Sequence, residues 1–233
     1  MIETYFALAK GAPGFSSFQR GTIIGARADS DHPSCNFAFI SEIPPQDITE
    51  ILDELPNSVY CLPQLEIETI ADQLQRNGFM RGGDLEFMYL VNPSPESNLD
   101  LRSVTGYLNR FELTETLARL FFPKQEPHFG QVLASLVAEA SDCLLLSYEE
   151  ANTFIGGAML HTVGGTTGLY NIAIKESKRH RGHGKRLVNN LLSIALQRTK
   201  VVTLQCAPAL VPWYESLGFR RYGTMLTFSK ISL

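Results

Sequence analysis

The stretch Arg179-His180-Arg181-Gly182-His183-Gly184-Lys185 decides the fold, because it lies between an apolar segment and a long amphipathic one. The preceding residues 168–174 (GLYNIAI) predict a buried strand, and residues 184–198 predict a helix whose apolar positions recur at helical spacing. A basic, glycine-rich turn from strand to helix presents backbone N–H groups at the positive end of the helix dipole. We therefore expect this turn to bind a ligand that carries phosphates.

The composition is that of an ordinary soluble globular protein, with 233 residues, 44% of them hydrophobic and 19% charged. This length allows one large domain or two small ones. The net charge of −4 predicts no general affinity for nucleic acid or for an anionic membrane. No run of 18 apolar residues occurs, and the start at Met1 lacks a basic region followed by an apolar one. We therefore expect no membrane span, no signal peptide and a cytoplasmic location.

The four cysteines predict no metal site. Cys35, Cys61, Cys143 and Cys206 form no C-x-x-C pair, and each lies in an apolar, strand-like stretch. A zinc site needs tighter spacing and histidines in register. We expect four reduced thiols in the core.

The second half of the chain predicts an alternation of strands and helices. The predicted strands are 101–107, 142–149, 153–163, the segment that ends at Ile174, 201–206 and 224–229. The predicted helices are 112–121, 128–140, 184–198 and 212–217, the last with an early proline and a final Gly218.

The first half repeats the element order of the chain's end. A predicted strand at 58–62, a helix at 67–76, the pair Gly78-Phe79 and a strand at 84–91 follow one another. The same order recurs around Gly218-Phe219 in the second half, which indicates two related domains. The Pro- and Ser-rich residues 92–98 are the natural linker, so we expect domains at 1–96 and 97–233.

The two predicted domains differ where chemistry would occur. The turn Ser41–Gln46 has two prolines and neither glycine nor a basic residue, so it cannot offer phosphate a set of N–H groups. The residue four before Gly218 is Tyr214, whereas the residue four before Gly78 is Leu74. The first domain therefore has the predicted scaffold without the predicted site.

These motifs resemble the GNAT superfamily of N-acetyltransferases. Arg179-x-x-Gly182-x-Gly184 is similar to the acyl-CoA pyrophosphate loop of that family, and Tyr214-Glu215-Ser216-Leu217-Gly218-Phe219 is similar to its Y-E-x-L-G-F ending. The resemblance covers residues 100–233 well and residues 1–96 only by element order, as a degenerate copy. It implies an α/β protein with a mixed sheet, the acyl-CoA N-acyltransferase fold, in two GNAT-like domains.

The resemblance also implies roles. Ile172, Ala173 and Ile174 would offer backbone groups to the pantetheine arm and acetyl carbonyl of acetyl-CoA, the turn Arg179–Lys185 would hold the pyrophosphate, and Tyr214 would act as general acid to the leaving thiolate. The implied reaction is acetyl transfer from acetyl-CoA to a primary amine of a small molecule or peptide, by a monomer or homodimer. The alternative is a non-catalytic acyl-CoA-binding or regulatory module.

Two positions depart from the family pattern. Some members carry a glutamate base at the position of Gly168, and no Asp or Glu occurs between Glu150 and Glu176 here. The base is therefore open between His161, Tyr170 and a water held by backbone carbonyls. Ala207 stands where similar sequences often have a Ser or Asn that contacts CoA.

Overall fold

A computed structural model describes residues 1–42, 54–63, 67–91 and 101–230. The chain forms two compact units, named here for their places in the sequence. The central unit comprises Met1, Tyr89–Gln205 and Glu215–Arg220, and the outer unit comprises Ile2–Met88, Cys206–Tyr214 and Arg221–Leu233. The last part of the chain therefore groups with the N-terminal residues. The predicted linker 92–98 and the boundary between residues 96 and 97 lie outside the described residues, so that boundary stays a prediction.

The outer unit contains the N-terminal elements and the last strand. Its elements in chain order are α1 (Ile2–Ala9), β1 (Ser16–Arg20), β2 (Ile23–Arg27), β3 (Phe37–Ile40), β4 (Ser58–Cys61), α2 (Ile67–Arg76), β5 (Phe79–Arg81) and the first half of β6 (Leu85–Val91). Most of the final strand also belongs to this unit. The strand order runs β1, β2, β3, β4 and then that final strand, which also pairs with β5. Strands β3 and β4 are parallel and buried along their length, which explains the unbroken apolar run of Phe37–Ile40 in β3.

The central unit contains β7 (Arg102–Ser103), α3 (Tyr107–Phe121), α4 (Pro127–Glu139), β8 (Cys143–Glu150), β9 (Thr153–Val163), β10 (Thr166–Ile174), α5 (His183–Leu196) and nearly all of β11 (Val201–Cys206). Its strands are ordered β11, β10, β9, β8, β7. Strands β10 and β11 are parallel, because α5 connects them, and the other pairs are antiparallel. The predicted mixed sheet is confirmed. The chain ends with α6 (Val211–Glu215) and β12 (Arg220–Lys230).

A buried arginine closes the end of α4. The guanidinium of Arg110, on α3, is buried and donates to the carbonyls of Val137, Ala138, Ala140 and Cys143 at 2.6 to 3.3 Å. These include carbonyls that the last turn of a helix leaves without a partner. Arg110 thus fixes α3 against the junction between α4 and β8.

Most predicted elements are confirmed to within a few residues, and helix 67–76 and strand 201–206 have the predicted bounds. The predicted strand 101–107 is too long, because the strand covers only Arg102–Ser103 and Gly106, at φ 78°, precedes α3. Exposed apolar residues at the start of α3, Tyr107 and Leu108, imitate a strand pattern. No sequence pattern predicted α1, β1 or β2. The four cysteines are free and buried, as predicted.

Candidate active site

The predicted strand before the turn carries a bulge. In β10, Tyr170 pairs with Met159 and Ala173 pairs with Gly157, so β10 has one residue more than β9 between these pairs. Asn171 adopts a left-handed φ of 51° there. A bulge leaves backbone groups outside the strand ladder. Asn171 and Ile172 are the residues whose regular pairing is interrupted, and Ala173 and Ile174 resume it with Gly157 and Gly156, so the expected contact strand begins inside the bulge.

Gly156 keeps β9 close to β10 beside the bulge. A Cβ at Gly156 would lie 2.9 Å from Cδ1 of Ile174 and would overlap the carbonyl oxygen of Ala173. No side chain fits in that space, so the glycine is required by the approach of the two backbones.

The turn after β10 leads the chain into α5. A short 3₁₀ turn at Glu176–Lys178 precedes Arg179, whose Nε donates to the carbonyl of Ile174 at 3.0 Å. His180 and Gly182 have φ of 59° and 80°, both left-handed, and α5 begins at His183. Arg179 thereby ties the turn to the end of the bulged strand.

The first turn of α5 fits an anion. The N–H of Arg186 bonds to the carbonyl of Gly182 at 3.1 Å, and no side chain of the described residues caps the N–H groups of the helix start. The exposed residues here are cationic side chains and one glycine, namely Arg179, His180, Arg181, Gly182, Lys185 and Arg186. Gly184 is half-buried within the first turn. Uncapped N–H groups, the helix dipole and positive side chains together suit a pyrophosphate.

His183 differs from its neighbours, because its side chain is buried. Its Nδ1 lies 2.9 Å from the hydroxyl of Tyr148, 2.9 Å from Nη2 of Arg186 and 3.5 Å from Oε1 of Glu150. Tyr148 and Glu150 end β8, and the pattern of the sequence did not identify them. The i, i+3 spacing of His183 and Arg186 could have indicated that these two side chains meet on α5. Their contacts Tyr148 and Glu150 on β8 could not be found in this way, because β9 and β10 separate them from α5 in the chain.

Tyr170 occupies the space above Gly168. A Cβ at Gly168 would lie 2.5 Å from Cε2 and Cζ of Tyr170 and would overlap its hydroxyl oxygen. His161 on β9 pairs in register with Gly168 and is buried. Two of the open candidates for a base therefore lie beside the position that lacks a carboxylate.

Tyr214 lies in α6 and belongs to the outer unit. Its side chain is buried, and its ring meets that of Trp213 edge-on at 4.7 Å. Burial, together with the nearby Cys206 thiol, raises the pKa of the Tyr214 phenol well above its ordinary value. The phenol is therefore protonated at neutral pH, as a proton donor must be.

Two glycines of the predicted repeat have the same backbone conformation. Gly78 and Gly218 both adopt a left-handed φ, 82° and 91°, shortly after α2 and α6. Leu74, at the place that corresponds to Tyr214, is fully buried and carries no hydroxyl. The part of the Ser41–Gln46 turn from Ile43 onward lies outside the described residues.

The described residues contain neither a metal-binding cluster nor a membrane-spanning helix. Within 1–42, 54–63, 67–91 and 101–230, no three His, Cys, Asp or Glu side chains cluster so as to hold a metal ion. In the same ranges no helix is both long and apolar enough to cross a membrane.

Part of the chain is similar to a known protein family. Residues 110–219 match the model of the acetyltransferase (GNAT) family. No curated protein has significant sequence similarity to the chain.

Solved structures of low sequence identity share the fold over nearly the whole chain. A GCN5-related N-acetyltransferase from Kribbella flavida is 12% identical, with a TM-score of 0.68, and the match covers 98% of this chain and 93% of that one. A functionally unknown conserved protein from Staphylococcus epidermidis is 13% identical, with a TM-score of 0.71 and coverage of 94% and 95%. A tandem GNAT protein from the clavulanic acid biosynthesis pathway is 11% identical, with a TM-score of 0.57 and coverage of 95% and 86%.

Proposed function

Because residues 110–219 form a GNAT acetyltransferase domain, we propose that this acyltransferase moves an acetyl group from acetyl-CoA to a primary amine. The acceptor is a small molecule or a peptide. The observation that carries the proposal is the bulge in β10, which is followed by a left-handed turn at Gly182 into the uncapped start of α5. The bulge supplies backbone groups and the turn supplies an anion site, on consecutive segments of one unit.

Acetyl-CoA, when bound, supplies an acyl group activated as a thioester. The N–H groups of His183, Gly184 and Lys185 would bind its pyrophosphate, with Arg179, His180, Arg181 and Gly182 lining the turn. Backbone groups of Ile172, Ala173 and Ile174, next to the bulge, would align the pantetheine arm. A backbone N–H released from the ladder there would donate to the acyl oxygen as negative charge develops on it.

Tyr214 is the proposed proton donor to the leaving thiolate. The phenol is protonated at neutral pH, as this role requires, although burial raises its pKa and makes it a weaker acid than an exposed tyrosine. The acceptor nitrogen also has to lose a proton, and Gly168 supplies no carboxylate for that step. The base stays open between His161, Tyr170 and a water held by backbone carbonyls. Tyr170→Phe and His161→Gln, assayed across pH, separate these three candidates.

The first test pairs a binding measurement with a reaction. Calorimetry with acetyl-CoA measures affinity, and release of free thiol in the presence of a panel of amines measures transfer. Binding together with amine-dependent thiol release supports the proposal. Binding with no thiol release for any amine would favour the non-catalytic acyl-CoA-binding module, and absence of binding would contradict both functions.

We propose that residues 1–96 are a degenerate GNAT-like domain that binds no cofactor. Residues 97–233 are then the catalytic domain. Leu74 in place of a tyrosine and the prolines of the Ser41–Gln46 turn support this. The proposal requires one acetyl-CoA per chain in calorimetry. Two acetyl-CoA molecules per chain would contradict it.

A further inference from the structure

Four side chains join the end of β8 to the start of α5, and they are Tyr148, Glu150, His183 and Arg186. The Tyr148 hydroxyl donates to the Glu150 carboxylate, and Nη1 of Arg186 lies 2.9 Å from the same carboxylate oxygen. Nη2 of Arg186 lies 2.9 Å from Nδ1 of His183. All four residues belong to the central unit, so the cluster is complete within it.

Two donors of this cluster lie between Glu150 and His183. The Tyr148 hydroxyl gives its one proton to Glu150, and the guanidinium of Arg186, which only donates, lies within hydrogen-bond distance of Glu150 and of Nδ1 of His183. The imidazole is buried and contacts the buried Tyr148 and the partly exposed side chains of Glu150 and Arg186 through Nδ1, and its backbone N–H lies in the first turn of α5. The carboxylate of Glu150 in turn fixes Arg186, and the Tyr148 hydrogen bond and Arg186 charge lower its pKa.

We propose that the cluster of Tyr148, Glu150, His183 and Arg186 is a positioning device, which holds the first turn of α5 in the geometry that binds the pyrophosphate of acetyl-CoA. This inference rests on the proposed function. Each member acts through the backbone of the turn and not on the reacting atoms.

Charge alone predicts the opposite effect for Glu150, and this makes the inference testable. Removing a carboxylate near an anion site favours anion binding through simple electrostatics. Removing a carboxylate that holds the site together weakens binding. The neighbouring Glu149 is a matched control, because it has the same charge and is the adjacent residue, but it pairs with Ser147 and Arg102, outside the cluster.

The experiment compares Glu150→Ala and Tyr148→Phe with Glu149→Ala and the parent protein. Acetyl-CoA affinity is measured by calorimetry, and kcat and KM by thiol release. We expect both cluster variants to raise Kd and KM for acetyl-CoA about tenfold or more, with kcat at saturation nearly unchanged. Glu149→Ala should bind as the parent does or slightly more tightly. A variant that merely lost folded protein would lower kcat and keep KM.

Hydrogen exchange provides a readout without cofactor or activity. Amides of residues 179–186 should exchange faster in Glu150→Ala and Tyr148→Phe than in the parent, and Glu149→Ala should leave them unchanged. If the parent binds no acetyl-CoA, the proposed function fails, and the exchange rates alone then decide whether the cluster orders the turn. Unchanged exchange with unchanged affinity, or tighter binding in Glu150→Ala, would overturn the inference.

Discussion

The aromatic ring of Tyr170 lies over the Cα of Gly168, two residues earlier on β10. A Cβ at Gly168 would lie 2.5 Å from two carbons of that ring. The position that holds a glutamate in some similar sequences is therefore closed by a tyrosine from the same strand. Any side chain added at Gly168 has to displace Tyr170.

Replacing this glycine tests the arrangement directly. Gly168→Ala should lower the free energy of unfolding by about 1–3 kcal/mol, because the added methyl group overlaps the ring of Tyr170. Urea denaturation measures the change. The control is Gly83→Ala, where a Cβ meets no atom within 4 Å and little change is expected. Equal stability of Gly168→Ala and the parent would mean that the ring moves away without cost.

The anion site predicts the effect of one added charge. Gly184→Glu places a carboxylate in the first turn of α5, where it competes with the pyrophosphate for N–H groups and repels it. Acetyl-CoA affinity in calorimetry should fall at least tenfold while the circular dichroism spectrum is kept. The control is Gln197→Glu, which adds the same charge at the exposed far end of α5 and should bind normally. Normal affinity in folded Gly184→Glu would exclude the turn from the cofactor site.

Loss of the proposed proton donor should separate binding from turnover. Tyr214→Phe should bind acetyl-CoA as the parent does and lose turnover by about 10²–10⁴, the usual contribution of a positioned acid. The control is Tyr222→Phe, which should keep the turnover of the parent, because Tyr222 is an exposed tyrosine of the same unit.

The pH dependence follows from the raised pKa of Tyr214. The phenol stays protonated beyond its ordinary value of 10.0, so no loss of parent turnover from its ionisation is expected below that pH. Parent-like turnover in Tyr214→Phe would show that the thiolate leaves without this acid.

The buried arginine predicts a large effect on stability. Arg110→Ala leaves several buried carbonyls of the α4–β8 junction without donors, and hydrogen bonds to charged groups contribute about 1.5–3 kcal/mol each. We expect a loss of about 3 kcal/mol or more in the free energy of unfolding. Arg119→Ala, on the same helix, breaks only an exposed pair with Glu115 and should cost less than about 1 kcal/mol. Similar losses for the two variants would contradict the capping role.

The buried thiols predict destabilisation in alkali. Burial raises the pKa of Cys61 from 9.0 to about 12. Below pH 9 this thiol is protonated in both the folded and the unfolded chain, and its contribution does not change. Between pH 9 and 12 the unfolded chain loses the proton that the folded chain keeps, so stability falls as pH rises, by about 1 kcal/mol per pH unit.

Urea midpoints from pH 7 to pH 10.5 measure this dependence. Above pH 9 the urea midpoint of Cys61→Ala should fall less steeply with pH than that of the parent, whatever the stability of the variant at pH 7. Parallel declines would show that Cys61 ionises in the folded protein as easily as in the unfolded one.

Local patterns in the sequence were sufficient to predict the turn Arg179–Lys185 and most of the strands and helices near it. Helical spacing predicted α2 and α5, and alternation or apolar runs predicted β9, β10 and β11, because those signals arise within a few residues. The glycines of the turn predicted an anion site since left-handed φ angles and close backbone approach are properties of glycine itself. The order of elements around Gly78 and Gly218 indicates a repeat, which stays a prediction.

Only the tertiary structure decided which distant segments meet. Strand β12 pairs with β4 and β5, although nearly all of the central unit lies between them in the chain, and no local pattern encodes that partner. Burial of His183 depends on Tyr148 and Glu150, which lie on β8, before the β9–β10 hairpin in the chain. Such contacts depend on the packing of the whole unit, where burial and hydrogen bonding select among partners that a linear pattern cannot distinguish.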